Sequence, residues 1–291
     1  MRNYIDSDYC IIIKKEENIF KSTDTLLLIA PHPDDESLSS AGIIQRAISN
    51  GSNVIVVFIT NGDGFKIAAK RSNLTRKLSP NAYKNFALLR QNEGTIALLK
   101  LGVKKDNIIF LGFPDDGLES LYRSNFKNPF TSKTTKENKV SYRNSYKYED
   151  KFTGENLLNS LSKIIRSYTP TYIIYPNFKD THKDHSYTYL FVKKAIEKEG
   201  IKVKELTYLI HFPRWPQYRL NNHQKYATIP RRIKDTGYFL NIELKDEEII
   251  IKKKSLLSHK TQVKLIKPFF LAFTKKNEIF ILEQKDNLLI S

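Results

Sequence analysis

Residues 26–30, Leu-Leu-Leu-Ile-Ala, form a run with no polar side chain, and they lead directly into Pro31-His32-Pro33-Asp34-Asp35-Glu36. A short run that is apolar at every position suits a strand buried on both faces, the situation of a central strand in a parallel sheet. Parallel neighbours need long crossovers, usually helical, so this feature commits the chain to alternating strands and helices. The residues that follow agree, because Leu38, Ala41, Ile44, Ala47 and Ile48 recur at helical spacing up to Asn50-Gly51, a pair suited to ending a helix. Strand-like segments follow at 54–59, 107–111 and 171–175, with helical segments at about 82–101 and 155–168 between them. The pattern predicts an α/β fold, a Rossmann-like and mostly parallel sheet flanked by helices. Residues 208–211 read as a further strand, and residues 269–273 and 278–282 around Lys275-Lys276-Asn277 read as a C-terminal β-hairpin addition. We expect a single domain over residues 1–291, with a core at about 24–210 and a C-terminal extension at about 211–291.

In open α/β sheets, ligands bind outside the carboxyl ends of the strands. Two polar clusters stand at such ends. The first is the His32 to Glu36 turn; the second is Asp180-Thr181-His182-Lys183-Asp184-His185, after the strand-like 171–175 run. A catalytic zinc ion takes three ligands from His and carboxylates and keeps a position for water, whose pKa it lowers towards neutrality. His32, Asp35 and His185 supply such a set. Asp34 is then available to take a proton from water. His182 can protonate a leaving group or stabilise an oxyanion, and Asp180 and Asp184 are short acceptors suited to holding an imidazole by its other nitrogen. The site reads as a hydrolase. Taken singly, each cluster also has a structural reading: Pro and Asp favour helix starts, and a His-x-x-His spacing is common.

The two clusters resemble the motifs of the PIG-L (LmbE-like) deacetylases, zinc-dependent enzymes that remove the acetyl group from N-acetylglucosamine-containing substrates. Residues 31–36 match the first motif; Asp180, His182, Asp184 and His185 match the second. Further matches are Thr60-Asn61-Gly62, Arg90-x-x-Glu93, Gly112-Phe113-Pro114-Asp115 and a segment at 254–262, so the likeness spans most of residues 24–262. The resemblance implies His32, Asp35 and His185 as zinc ligands, Asp34 as general base and His182 as acid or oxyanion stabiliser. It also implies substrate contacts from Arg90, and we add Asn61 and Tyr142 as candidate sugar contacts. Ferrous iron or another divalent ion also suits a two-His, one-carboxylate set. The implied substrate is an N-acetylated amino sugar, anionic in one version of the reading.

Two other functions compete. A metal-dependent phosphoesterase would need more carboxylates for a two-metal site than the motifs offer. A noncatalytic basic module is suggested by the net charge of +17, but the lysines are spread along the chain without a nucleic-acid motif. A dinucleotide site is excluded where it would have to lie, because two carboxylates replace the glycine-rich phosphate turn after the first strand. No apolar run is long enough for a membrane span and no signal pattern is present, so a cytoplasmic location without nucleic-acid partners is expected. Cys10, the single cysteine, has no nearby histidine and is expected to be inert.

Between residues 115 and 151 the periodicity disappears, yet Tyr122, Phe126, Phe130, Tyr142, Tyr146 and Tyr148 argue for order. This segment is expected to arch over the metal as a substrate lid. On the helix at 82–101, Phe86, Leu89, Ile96 and Leu99 are expected to face the sheet. Trp215 has two readings, stacking on a sugar or covering the core. His211, His223 and His259 lack carboxylate neighbours in sequence and are not counted as ligands.

Overall fold

The computed structural model describes residues 10–15, 17–75, 77–216, 225–234 and 237–283. In chain order these form β1 (Cys10–Ile13), β2 (Thr25–Ala30), α1 (Asp35–Ser49), β3 (Asn53–Thr60), α2 (Lys66–Ser72), α3 (Pro80–Lys100), β4 (Ile108–Phe113) and α4 (Leu118–Arg123). They continue with α5 (Gly154–Tyr168), β5 (Tyr172–Pro176), α6 (Lys183–Glu199), β6 (Lys204–Tyr208), β7 (Tyr238–Glu243), α7 (Asp246–Leu256), α8 (Lys260–Ala272) and β8 (Asn277–Leu282). The eight strands make one sheet in the order β1-β7-β8-β6-β5-β2-β3-β4. Every pairing is parallel except those of β8, which runs antiparallel between β6 and β7.

The apolar run identified in the sequence is the central strand. Alternate side chains of β2 serve the two faces: Leu26, Leu28 and Ala30 pack with α1, α7 and α8, while Leu27 and Ile29 pack with α5 and α6. Both layers are fully buried, which explains why no polar residue interrupts the run. From β2 the chain goes outwards through β3 and β4, then returns to lay β5 against the other side of β2. The order reverses there, and the crevice of such a reversal lies at the carboxyl ends of β2 and β5.

Two expectations are corrected. Of the α3 residues expected to face the sheet, Phe86 is buried, but Leu89, Ile96 and Leu99 are 40%, 39% and 48% exposed. The buried stripe instead carries Ala87, Arg90, Gln91, Glu93, Gly94 and Ala97 with Leu98. Gly94 lets α3 approach Pro33; Arg90 and Gln91 bond to the turns at the sheet's carboxyl edge and Glu93 accepts from Thr261 at the start of α8, so polar partners rather than hydrophobicity orient this helix. The second correction concerns residues 269–273, which are the last turns of α8 and not the first arm of a hairpin. Phe269 and Phe273 meet at 5.3 Å at helical spacing while Phe270 enters the core. The second arm is β8, and it completes the sheet by pairing with β6 and β7. No helix among the described residues is long and apolar enough to cross a membrane.

Candidate active site

β2 ends at Ala30, and the Pro31 carbonyl accepts from both the main-chain N–H and the hydroxyl of Thr60, which ties the ends of β2 and β3 together. The turn beyond it holds Asp34 at φ 145°, a conformation that side chains seldom adopt and that persists only where the surroundings impose it. Those surroundings are specific. The Asp34 N–H donates to Glu36 Oε2 at 2.9 Å, and Arg90 Nη2 donates to Asp34 Oδ2 at 2.9 Å and to the Pro33 carbonyl at 2.6 Å. Arg90 Nη1 donates to the Gly62 carbonyl. Asp34 stands at the start of α1 but leaves that helix uncapped, because its carboxylate is turned towards Arg90. Burial pushes its pKa up to about 6 against the pull of Arg90.

Asp35 Oδ2 lies 3.2 Å from His32 Nδ1 and 3.3 Å from His185 Nε2, all three residues being buried. Two donors on a tetrahedral zinc ion, each about 2.0–2.1 Å from it, are about 3.3–3.4 Å apart. The ring nitrogens of His185 approach Asp35 and Asp180 yet meet neither in hydrogen-bonding geometry, which leaves two buried polar atoms whose needs a cation would meet at Nε2. The donor types and these two contacts suit a metal ion. Among the described residues, the groupings whose donors all lie within 4.8 Å of one another are His32 with His182 and His185, Asp35 with His185 and His211, and His32 with Asp115 and Asp184; the expected trio of His32, Asp35 and His185 is spread over the first two of these.

Each central imidazole has a carboxylate at its remaining nitrogen. His185 Nδ1 is 3.2 Å from Asp180 Oδ2, and the same oxygen accepts the main-chain N–H groups of Ile210 and His211. His32 Nε2 lies 3.1 Å from Asp115 Oδ1 and 3.4 Å from Asp184 Oδ2. Asp184 also accepts the N–H groups of Asp116 and Leu118. Burial disfavours charge on both histidines, but these carboxylates outweigh it, raising His32 well above its ordinary value and His185 to about 10. Asp35 is likewise buried, and contacts with His185 and His32 nevertheless hold its carboxyl well below the usual range. A crowd of carboxylates around two imidazoles is the electrostatic setting of a cation site.

His182 caps α6, its Nδ1 accepting the Asp184 N–H, so the neutral ring carries its proton on Nε2. Burial and the neighbouring histidines press its pKa down to about 3. Its ring lies 4.9 Å from His32 and 5.2 Å from His211.

The remaining candidates are close but not open to solvent. Asn61 Oδ1 accepts from Gln91, whose own carbonyl accepts from Asn144, and the Tyr142 phenol reaches the Asn61 side chain. Arg90 is 4% exposed and its terminal nitrogens are engaged with protein acceptors, so it braces Asp34 instead of standing free for a sugar. The segment at 115–151 is likewise no detachable lid: Leu118, Leu121 and Val140 sit in the core, and Asp115 holds His32. Trp215 donates its indole N–H to the Leu209 carbonyl at 3.0 Å and packs with Phe212, in line with the packing reading. Burial pushes the Cys10 thiol up to about 11, as befits an inert side chain.

Two site residues are not singled out by the sequence. Asp115 sits in the Gly-Phe-Pro-Asp turn without a local sign of its bond to His32. His211 was set aside for want of a carboxylate neighbour, yet its ring is 5.0 Å from His185, and Asp180 reaches its main chain from another loop. Its position just past an apolar strand was the available signal. His259 is a buried partner of Glu36 at 3.1 Å, away from the metal-type donors, and His223 lies outside the described residues.

The family model for GlcNAc-PI de-N-acetylase, PIG-L, matches residues 27–196, more than half of the chain. The mycothiol S-conjugate amidase of Streptomyces coelicolor is 38% identical over 100 residues, which is 33% of this chain and 31% of that protein. The chain thus aligns with about a third of the length of this curated relative. Among solved structures, the N,N'-diacetylchitobiose deacetylase from Pyrococcus horikoshii superposes with a TM-score of 0.55 at 17% identity, covering 89% of this chain and 83% of that one. The deacetylase of the A40926 pseudoaglycone gives a TM-score of 0.58 at 18% identity, with coverages of 90% and 97%. These two likenesses establish a shared α/β fold. With its match running from the central strand through α6, across both polar turns, the chain belongs to the PIG-L family.

Proposed function

We propose that the protein is a metal-dependent amidohydrolase that removes the acetyl group from an N-acetylglucosamine-type sugar or glycoconjugate. The observation that carries the reading is a single carboxylate oxygen of Asp35 set between His32 Nδ1 and His185 Nε2, with a second, ionisable aspartate next to it in sequence but turned elsewhere. His32, Asp35 and His185 would hold the ion, zinc or ferrous iron. When bound, that ion supplies Lewis-acid activation of water and of the acetamide carbonyl.

The chain's own groups then divide the proton traffic. Asp34, with its pKa near 6, is mostly ionised at neutral pH and can accept the proton of the attacking water, while Arg90 fixes the carboxylate's direction. His182 Nε2–H can donate to the carbonyl oxygen as charge gathers there. As the C–N bond breaks, the proton taken up by Asp34 returns to the departing amine, and acetate leaves. Asp180 and Asp184 keep the two imidazoles in orientation, which is a positioning role. Asn61 and Tyr142, whose side chains meet each other, are the candidates for shaping the sugar pocket.

Two variants test the division of labour. Asp34→Asn should keep its metal and lose about 10² to 10⁴ in kcat for acetate release from N-acetylglucosamine derivatives. Asp35→Asn should lose metal. Metal content and turnover measured on the same preparations decide it: metal loss in the first variant with retention in the second reverses the two assignments, and full activity in both rejects the mechanism.

A further inference from the structure

The segment at 254–262 lies outside the residues matched by the family model and belongs to none of the groupings of metal-type donors. It forms the junction of α7 and α8, and two chains of buried hydrogen bonds run from it to Asp34. The first begins at His259, buried at the start of α8, whose Nε2 lies 3.1 Å from Glu36 Oε1. Ser37 donates its hydroxyl to the same oxygen at 2.6 Å, and its Oγ is also 3.2 Å from His259 Nε2 and 2.7 Å from Ser255 Oγ. The other oxygen of Glu36 accepts the Asp34 N–H at 2.9 Å. Glu36 is thus held by one oxygen and holds Asp34 by the other. Burial disfavours charge on His259, but Glu36 and then Asp34 outweigh it and raise its pKa, which makes the bond to Glu36 charge-assisted.

The second chain starts two residues further on. Thr261 donates its main-chain N–H and its hydroxyl to the two oxygens of Glu93, at 2.9 and 2.6 Å. Glu93 is buried on α3 one turn after Arg90, and Arg90 Nη2 donates to Asp34 Oδ2. Residues 259 and 261 therefore secure Asp34 from two sides, its main-chain N–H through Glu36 and its carboxylate through α3.

An ordinary helix start is built differently. Glu36 supplies the reach-back bond of a capping box, yet the reciprocal bond is missing, because the Asp34 carboxylate is turned away from α1 towards Arg90. At φ 145° Asp34 holds a conformation that its surroundings must impose, and the Glu36 bond acts on the peptide N–H of that same residue. The arrangement leaves α1 uncapped but secures the direction of one carboxylate. A misplacement of about 1 Å at a reacting group can cost about 10² in rate, so such a brace has a kinetic consequence.

We propose that His259 is a positioning residue for the reaction: through Glu36 it fixes the main chain of Asp34, and so the direction of the carboxylate that takes the proton from water, while Thr261 braces the Arg90 side. The proposal rests on the reading of Asp34 as general base and adds to it a device outside the reacting groups.

The test uses the full chain loaded with zinc and the methyl glycoside of N-acetylglucosamine. Two variants of equal polarity isolate the bond: the amide of His259→Asn ends near the place of ring Nδ1 and cannot reach Glu36, whereas that of His259→Gln extends to the place of Nε2. His259→Asn should lower kcat about 10- to 100-fold, the usual scale for a residue that orients a catalytic group, with KM changed less than about twofold and zinc content unchanged. His259→Gln should recover most of that loss. Adding His259→Asn to Asp34→Asn should cost no further activity, because the brace then has no base to aim; a residue that merely supports the fold would lower both backgrounds alike. Thr261→Val, which keeps the main-chain donor, should show a weaker fall in kcat. Should His259→Asn not fold, full kcat in Thr261→Val overturns the brace. Exchange of the amide hydrogens of residues 31–38, measured without substrate, should be faster in His259→Asn than in wild type. Undiminished kcat in His259→Asn, an equal loss in the Asp34→Asn background, or loss of zinc overturns the positioning role, while turnover by the wild type preserves the deacetylase. Wild-type protein that releases no acetate rejects the deacetylase instead, and the exchange rates then decide the brace: faster exchange in His259→Asn upholds it, and unchanged exchange removes it.

Discussion

Asp63 is held in the fold against its own electrostatic preference, and relieving it should stabilise the protein. The side chain is 3% exposed, accepts a hydrogen bond from the Thr134 hydroxyl, and faces Asp115. Burial first and Asp115 second raise its pKa from 3.8 to about 7. A folded acid titrating above its unfolded value destabilises whenever it is ionised: the penalty is absent below the unfolded value, grows as pH rises to about 7, and is fully present above that. At roughly 1.4 kcal/mol for each pH unit between the two values, the cost above neutrality is on the order of 4 kcal/mol. Asp63→Asn removes the charge but keeps an oxygen for Thr134, and its amide can donate towards Asp115. The variant should therefore be more stable than wild type by about 2–4 kcal/mol at pH 8, with the difference shrinking towards zero as pH falls to 4. Denaturant unfolding of both proteins at pH 4, 5, 6, 7 and 8 with a chelator present measures this, because titrations common to the two cancel in the difference. A variant less stable than wild type at pH 8, or a difference independent of pH, would refute the reasoning. A carboxylate retained at such a cost beside Asn61 and Tyr142 fits a site that gives up stability for function.

Two further substitutions probe the supports of the site and the core. Gly62→Ala would place a Cβ 1.7 Å from Arg90 Nη1 at a residue with φ 63°, so it should cost about 2–4 kcal/mol and lower kcat by displacing Arg90 from Asp34, with metal content unchanged; loss of metal instead would show that the turn supports the ligands directly. Lys252→Met would leave the buried Glu278 carboxylate without its ammonium partner, now at 2.6 Å, and should cost about 3–5 kcal/mol in thermal or denaturant unfolding; adding Glu278→Gln should recover part of that, and no recovery would mean that Glu278 matters mainly through its bonds to Gly42 and Ile43.

The parts of this molecule legible in sequence are those where local chemistry and global position coincide. β2 could be read because both of its faces are apolar, and the two polar turns because each begins where an apolar strand stops. What escaped is where partners come from afar. The burial of α3 is decided by Arg90 and Gln91 reaching turns, and Glu93 reaching the start of α8, that lie distant in the chain, so its apolar residues are a poor guide. His211 looked solitary because the aspartate beneath it is supplied by another loop. The aromatic run at 269–273 satisfies a strand pattern and a helix pattern equally, and only the core waiting for Phe270 selects the helix.

The placement of β8 has a practical consequence for handling the protein. β7 is parallel to β1 and antiparallel to β8, and Cys10 stands beside Phe239 while Leu282 stands beside Tyr238. The first and last described strands therefore begin and end at the same rim of the sheet, flanking one strand, within about 10 Å of each other. That rim is the amino-terminal edge of the parallel strands, opposite the rim that carries His32 and His185. A surface tether or fluorophore placed on that rim, for instance at Asn53, the exposed first residue of β3, would sit on the side of the sheet away from His32 and His185, so the protein can be immobilised with its candidate site turned to solution.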